Sequence, residues 1–348
     1  MKIYLNHLNA QETEERLHAY RVLSEKYAGH LTDTTNCFLC GDNRAEEIGN
    51  DLIRLVNCKL YIVEEEKKLV SCKRCGSVRR SVIYPAEFYF DYLNLFYDVV
   101  PIGIQHDMLQ KAQLRGQFLQ SLLDENQAPP SSILEISSYD GVTLAYLREI
   151  FKSEHDGELQ YPLLLGIEPT VGATEFAKQQ FPFLEKDLIA DLAEQVDYSS
   201  LKRTFDIVVA SYALRMVTNP EKLIEGLKSN VKDGGVVLIH EGSLINTVPS
   251  LLEEHQYYRQ FSQQKIIYPT SHSLKFLFER YGFRFNEMRV HSNAFLQGTM
   301  LGFVKTADIK PEERDLDISK RAAKAHIEVW KELNLDEDRT KHFLSTVG

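Results

Sequence analysis

No apolar run in this 348-residue chain approaches the ~20 residues that a bilayer-spanning helix needs, so a membrane partner is not expected. The opening MKIYLNHLNAQETEERLHAY is interrupted by Asn, His, Gln and Glu where a secretory signal needs a continuous apolar stretch, and the expected compartment is the cytoplasm. Positive charge is in deficit: 40 Lys and Arg face 50 Asp and Glu, a net charge of −10. A chain that grips long nucleic acid usually clusters Lys and Arg to neutralise phosphates, so this balance argues against such a partner. Cysteine is scarce and odd in number at five, which excludes a disulfide framework that uses them all. No internal repeat or low-complexity tract is found, and 348 residues exceed one ordinary core at roughly 100–200 residues per domain.

Four of the five cysteines fall in two knuckles, Cys37-Phe38-Leu39-Cys40-Gly41 and Cys72-Lys73-Arg74-Cys75-Gly76. Two thiolates three positions apart on a tight turn bind one metal ion, and the following glycine lets backbone amides turn towards the sulfurs. Two such turns complete the tetrahedron of a structural Zn2+ site. The competing readings are a redox dithiol, for which one pair suffices, and simple buried cysteines. A closed shell of four thiolates leaves no open coordination position, so such a metal folds the lobe without entering a reaction. Cys58, between the knuckles, reads as a core residue.

Composition divides the chain into a helical segment over 1–30, a four-cysteine ribbon of short strands and turns over 31–84, a helical aromatic bridge over 85–127, a main domain over 128–305 and a charged helical extension over 306–348, with Trp330 as a docking anchor. The boundary before the main domain is Ala128-Pro129-Pro130-Ser131-Ser132, where paired prolines stop a helix. Beyond it, short apolar runs at 133–137, 162–168, 205–211 and 235–241 have the character of strands buried on both faces. Amphipathic helical stretches separate them at 142–152, 171–180 and 219–231. This alternation predicts an α/β fold with a parallel sheet and right-handed crossovers. A polar and aromatic excursion over 242–269 and a helix over 271–281 follow. FRFNEMRV and FLQGTMLGFVKT then predict a closing antiparallel pair.

In a doubly wound sheet the ligand sits beyond the carboxyl ends of the strands, at the first tight turn. Here that turn is Glu135-Ile136-Ser137-Ser138-Tyr139-Asp140-Gly141, with one glycine. A nicotinamide enzyme needs a diphosphate cradle of several glycines. The next strand ends in Gly166-Ile167-Glu168-Pro169, placing a carboxylate where it can accept from both ribose hydroxyls of a nucleoside. S-adenosylmethionine (SAM) has no phosphates, and its ammonium and carboxylate suit a turn that carries Ser, Ser and Tyr.

EISSYDG, GIEP, FDIVVASYALRMVTNP and LKSNVKDGGVVLIHEG, in this order, resemble the successive motifs of class I SAM-dependent methyltransferases over about 128–305. EISSYDG is similar to the EIGSNDG-type loop of sugar C-methyltransferases that carry an N-terminal zinc-binding domain, with Ser137 in place of a glycine and Tyr139 of an asparagine. The resemblance implies a Rossmann-like seven-stranded sheet, mostly parallel with an antiparallel closing strand, beside a zinc ribbon that covers the substrate side. It also implies SAM as cofactor, with Glu135, Ser137, Tyr139 and Gly141 on the methionine side, Glu168 at the ribose and Asp187 near the adenine, where Asp191 competes. Ser211 and Tyr212 stand where many relatives have a histidine-containing loop. Their other reading is a seat for the next helix.

Two aromatic-polar segments are candidates for the acceptor pocket. The first runs from Phe88 through Tyr92 and Tyr97 to His106 and is similar to the tyrosine-rich bridge of the same family; its other reading is packing between lobes. The second holds Glu254-His255, where the family has a Glu-His pair whose histidine takes a proton from the acceptor carbon. A neighbouring carboxylate raises a histidine's basicity. His240 and Glu241, at a strand's carboxyl end, compete for the catalytic and substrate roles. The expected function is methylation of a small molecule, such as a nucleotide-linked sugar or a natural-product intermediate, with C-, O- and N-methylation open. Zinc-ribbon RNA base methylation and a non-catalytic SAM-binding scaffold are the alternatives.

Overall fold

The computed structural model describes residues 2–4, 10–55, 60–96, 106–123, 128–241, 265–292, 297–306 and 309–335. The chain forms two compact units: Met1–Asp98 with Ser243–Leu277 and Glu312–Gly348, and Val99–Gly242 with Phe278–Pro311.

The first unit is built on an antiparallel sheet. Strands β1 (Lys2–Tyr4), β3 (Ala45–Leu55), β4 (Leu60–Cys72) and β5 (Val78–Arg80) pair around β4, and β14 (Ile267–Tyr268) adds to β5. A separate short pair joins β2 (Thr32–Asp33) to β6 (Val82–Ile83). The expectation of only short strands between the knuckles is corrected here, since β3 and β4 run 11 and 13 residues. Their many Glu and Lys residues fit an antiparallel ladder with a polar face. Helices α1 (Ala10–Tyr27) and α2 (Ala86–Phe96) pack together, and α8 (Glu313–Leu335) lies on β3.

The second unit holds a seven-stranded sheet. It consists of β7 (Ser132–Ile136), β10 (Leu163–Ile167), β11 (Leu188–Ile189), β12 (Phe205–Ser211), β13 (Val231–Glu241), β15 (Phe283–Ser292) and β16 (Gln297–Lys305). Their order is β11-β10-β7-β12-β13-β16-β15. The first five are parallel, and β16 runs antiparallel to both neighbours. The chain moves outward from β7 through β10 to β11 and then restarts on the other side with β12, so β7 and β12 flank a topological switch point, where such sheets bind ligands. Helices α3 (His106–Leu122), α4 (Val142–Ile150), α5 (Val171–Gln180) and α6 (Pro220–Asn230) belong to this unit, as does a mostly polar, exposed hairpin, β8 (Ser153–His155) with β9 (Glu158–Gln160). Helix α7 (Ser271–Arg280) precedes β15. The α/β fold with a mostly parallel seven-stranded sheet and an antiparallel closing pair is as expected from the sequence.

Two local devices fix this frame. At the amino ends of the strands, Asp206 accepts from the Ser131 amide at 2.9 Å, from both serine hydroxyls at 2.8 Å, and from Lys232 Nζ at 2.7 Å. This single carboxylate pins β7, β12 and β13 in register. At α6, Pro220 occupies the first turn while the Asn219 side chain accepts from the Lys222 amide at 3.0 Å, satisfying one of the helix's orphan donors. The core then fills with Ile133, Leu144, Leu147, Ile207, Val209 and Leu238, all fully buried.

Candidate active site

The carboxyl ends of β7, β10, β12 and β13 bring together most of the residues singled out in this unit. The turn after β7 is tightly wound: Ser137 and Tyr139 have φ of 58° and 45°, and Gly141 has φ of 74°. A left-handed conformation costs a non-glycine residue roughly 1–2 kcal/mol, so Ser137 and Tyr139 hold this geometry at a cost. Gly166 lets this turn approach β10, since a Cβ there meets Ser138 Oγ at 2.8 Å and Leu188 at 2.4 Å. Tyr212, just beyond β12, is a further non-glycine residue in the left-handed region, φ 58°. Such outliers cluster at functional sites.

Glu168, at the end of β10, is buried. Its Oε2 accepts from the Tyr139 amide at 3.0 Å and its Oε1 from the Thr170 amide at 2.9 Å. Burial pushes its carboxyl up, outweighing these hydrogen bonds. An ionised carboxylate offers about four lone-pair positions, so each oxygen retains capacity for a hydroxyl donor. Asp187 is one-third exposed and 3.8 Å from Arg203, and partial burial raises its carboxyl.

Glu135, on β7, is fully buried, and burial pushes its carboxyl up to about 8. Glu135 Oε2, Ser138 Oγ and Ser211 Oγ are buried with no hydrogen-bond partner among the described residues. Buried polar atoms are ordinarily satisfied, so three orphans on one strand-end edge mark a place where a polar ligand group fits.

His240, on β13, is fully buried. Its Nδ1 accepts from Arg115 Nε at 2.9 Å, and its Nε2 faces the Tyr212 hydroxyl at 3.4 Å. Glu241 is buried as well. It accepts from the Leu214 amide at 3.0 Å and pairs with Arg215 Nε at 3.3 Å, so its carboxylate ties the loop after β12 to the end of β13. Arg115 and Thr143 are two site residues that sequence reasoning missed. A signal for Arg115 exists: it lies on the same stripe of α3 as the buried Ala112, Phe118, Leu119 and Leu122, where an arginine has reason to stand only if paired.

Tyr92 is fully buried in the first unit, its ring between those of Phe88 and Phe96 at centroid distances of 6.1 and 4.9 Å. His106 is the first residue of α3. Glu254, His255, Tyr97 and Cys58 fall outside the described residues.

In the first unit Cys37, Cys40, Cys72 and Cys75 are all buried, and their sulfurs lie within 4.8 Å of one another. Cys37 and Cys75 are 3.6 Å apart and Cys40 and Cys72 3.5 Å. Zn–S bonds of about 2.3 Å place tetrahedral sulfurs roughly 3.8 Å apart, so the quartet fits one ion. The knuckles are built alike. The amides of Gly41 and Gly76 donate to the carbonyls of Cys37 and Cys72, each at 2.8 Å, and both glycines are left-handed, φ 75° and 73°. The neighbouring thiols hold Cys37 well below the usual thiol range and Cys75 well above it. A dication evens this out by taking all four as thiolates.

A methyltransferase-domain family model matches residues 104–287, just over half of the chain. The chain belongs to this family. No curated protein matches it. Among solved structures it is similar to magnesium protoporphyrin IX methyltransferase from Synechocystis PCC 6803 with bound SAH, at 12% identity, 64% of this chain and 100% of that one, TM-score 0.47. It is also similar to the N-methyltransferase NodS from Bradyrhizobium japonicum WM9, at 15% identity, 58% and 98% of the two chains, TM-score 0.38. A SAM-dependent methyltransferase from Aquifex aeolicus shows 11% identity, 57% and 98%, TM-score 0.39.

Proposed function

We propose that this chain is a SAM-dependent methyltransferase acting on a small-molecule acceptor, such as a nucleotide-linked sugar or a natural-product intermediate, with a structural zinc held by Cys37, Cys40, Cys72 and Cys75. The observation that carries the cofactor reading is the set of three orphaned buried atoms, Glu135 Oε2, Ser138 Oγ and Ser211 Oγ, beside Glu168 at the switch point of the sheet. One carboxylate and two hydroxyls suit an α-ammonium and α-carboxylate, and Glu168 has spare lone pairs for a ribose diol. When bound, SAM supplies an electrophilic methyl group. The residues of this chain orient it: the Ser137–Gly141 turn closes on it, Glu168 anchors the sugar, and Asp187 stands at the adenine end. Proximity supplies much of the acceleration in such a transfer. Where the acceptor must first lose a proton, His255 takes it, with Glu254 raising its basicity.

Calorimetric titration of the intact protein with SAM and S-adenosylhomocysteine tests this reading. Binding of both is expected, weakened by Glu168→Ala, whereas His255→Ala retains affinity and loses turnover. Binding of a nicotinamide dinucleotide in their place would overturn the cofactor, and near-normal turnover of His255→Ala would overturn the base.

A further inference from the structure

Arg115 is a fully buried cation with four neighbours drawn from four different elements. Its Nε donates to His240 Nδ1 on β13 at 2.9 Å, and its Nη1 donates to Thr143 Oγ1 on α4 at 2.5 Å. Nη1 also lies 3.8 Å from Glu135 Oε1 on β7, and the guanidinium carbon is 6.0 Å from the centre of the Tyr212 ring beyond β12. The approach of α3 that permits this depends on Gly116, where a Cβ meets Tyr146 at 2.6 Å and Ile150 at 2.8 Å on α4. A guanidinium only donates, so His240 Nδ1 is an acceptor and the ring carries its proton on Nε2, the nitrogen that faces Tyr212. We propose that Arg115 is a positioning residue of the cofactor site, bracing Glu135 for the methionyl ammonium and fixing His240 in the tautomer whose Nε2–H is turned to the Tyr212 hydroxyl. This rests on the SAM reading above.

The groups facing Glu135 explain why an arginine is needed there. Asp140 in the turn and Glu168 at the end of β10 both oppose its ionisation, as does burial, while Arg115 from α3 and the Thr143 hydroxyl on α4 favour it. An ammonium that binds at Oε2 adds a second cation and completes the ionisation. His240, on the far side of Arg115, contributes no proton to Glu135, because its Nδ1 is occupied by the arginine. Lysine supplies the charge but not the planar fork that reaches His240, Thr143 and Glu135 together. The two halves of the proposal therefore separate by mutation.

The test is calorimetry of the intact protein with S-adenosylhomocysteine across pH 6–9, together with nitrogen-15 histidine spectra, on the wild type, Arg115→Met and Arg115→Lys, after thermal melts show that each variant folds. Wild-type affinity is expected to rise with pH towards about 8, as Glu135 gives up its proton. In Arg115→Met binding at pH 7 weakens by about tenfold for each unit that Glu135 moves up, and the midpoint moves to higher pH. Arg115→Lys is expected to weaken binding less than Arg115→Met does and to lose the fixed tautomer of His240. Arg115→Met with wild-type affinity and midpoint, or a His240 spectrum unchanged in Arg115→Lys, overturns the proposal. If the methionine variant does not fold, the lysine variant's spectrum alone decides. A wild type that binds neither SAM nor S-adenosylhomocysteine at any pH sinks the cofactor reading itself, a result distinct from these.

Discussion

Replacing Glu135 with glutamine removes one titrating group from the site without changing its shape, and the effect on stability follows from linkage. Burial raises this carboxyl from its ordinary 4.5 to about 8. The folded protein therefore binds the proton more tightly than the unfolded chain between these values, and stability must fall as pH rises across that window. At 1.36 kcal/mol per unit, the loss is at most about 5 kcal/mol and is complete above about pH 8. Glu135→Gln lacks this loss. Glu168 is also raised by burial, but it is common to both proteins and cancels in their difference. Thermal melts of the ligand-free proteins at pH 5, 7 and 9 are the assay. The variant's advantage should be smallest at pH 5, widen through pH 7 and level off above 8, reaching at most roughly 10–20 °C at 2–4 °C per kcal/mol. SAM affinity should fall in the same variant, because an amide cannot pair with an ammonium. Parallel pH profiles for the two proteins would refute the reasoning, since they require Glu135 to titrate alike in the folded and unfolded chains.

Two further predictions concern the first unit. Metal analysis of the intact protein should find one zinc per chain. Stripping it with a strong chelator at low pH should unfold the ribbon, which circular dichroism and increased proteolysis within 31–84 would reveal; a ribbon indifferent to metal content would contradict the structural role. Gly76→Ala should cost roughly 2–4 kcal/mol, combining a left-handed backbone with overpacking, because its Cβ meets Lys320 Cα at 2.8 Å and Ala323 Cβ at 2.9 Å on α8. Gly41→Ala is the control. It has the same backbone geometry but open space around the Cβ, so denaturation should show it losing only roughly 1–2 kcal/mol, and equal losses would count against the α8 contact.

The parts of the fold that were legible in sequence are those where one simple rule acts alone. Strands β7, β10, β12 and β13 are buried on both faces, so they read as short apolar runs between amphipathic helices. The long β3 and β4 did not, because Glu46, Glu47, Asp51, Glu64, Glu65, Glu66, Lys67 and Lys68 give them the composition of loops while backbone pairing makes them strands. The hairpin of β8 and β9 is almost wholly exposed and leaves no hydrophobic signal. In the site, Glu168 was readable as a carboxylate at the end of a strand, whereas Glu135 was singled out only by the family resemblance. For Arg115 only the charge on an apolar stripe of α3 was readable and its pairing was not, because its partners lie 20 to 125 positions further along the chain, at Glu135, Thr143 and His240, and only the fold brings them together.

Glu168 and Glu241 are braces before they are ligand groups. Glu168 accepts one amide from the turn after β7 and one from its own turn, and Glu241 accepts an amide from the loop after β12. Each holds a loop of the adjacent strand in place. The left-handed Ser137, Tyr139 and Tyr212 need such support, since each conformation is unfavourable by itself. On the proposed reading, a ligand hydroxyl that added to a spare lone pair of Glu168 would find the turn already formed, and the ordering cost that loops usually pay on binding would have been met during folding. Glu135 Oε2, Ser138 Oγ and Ser211 Oγ are buried with no hydrogen-bond partner among the described residues. An unsatisfied buried polar group costs about 1–3 kcal/mol. On the proposed reading, a ligand that satisfied all three would recover that energy as affinity, so the stability these groups cost the fold would serve binding.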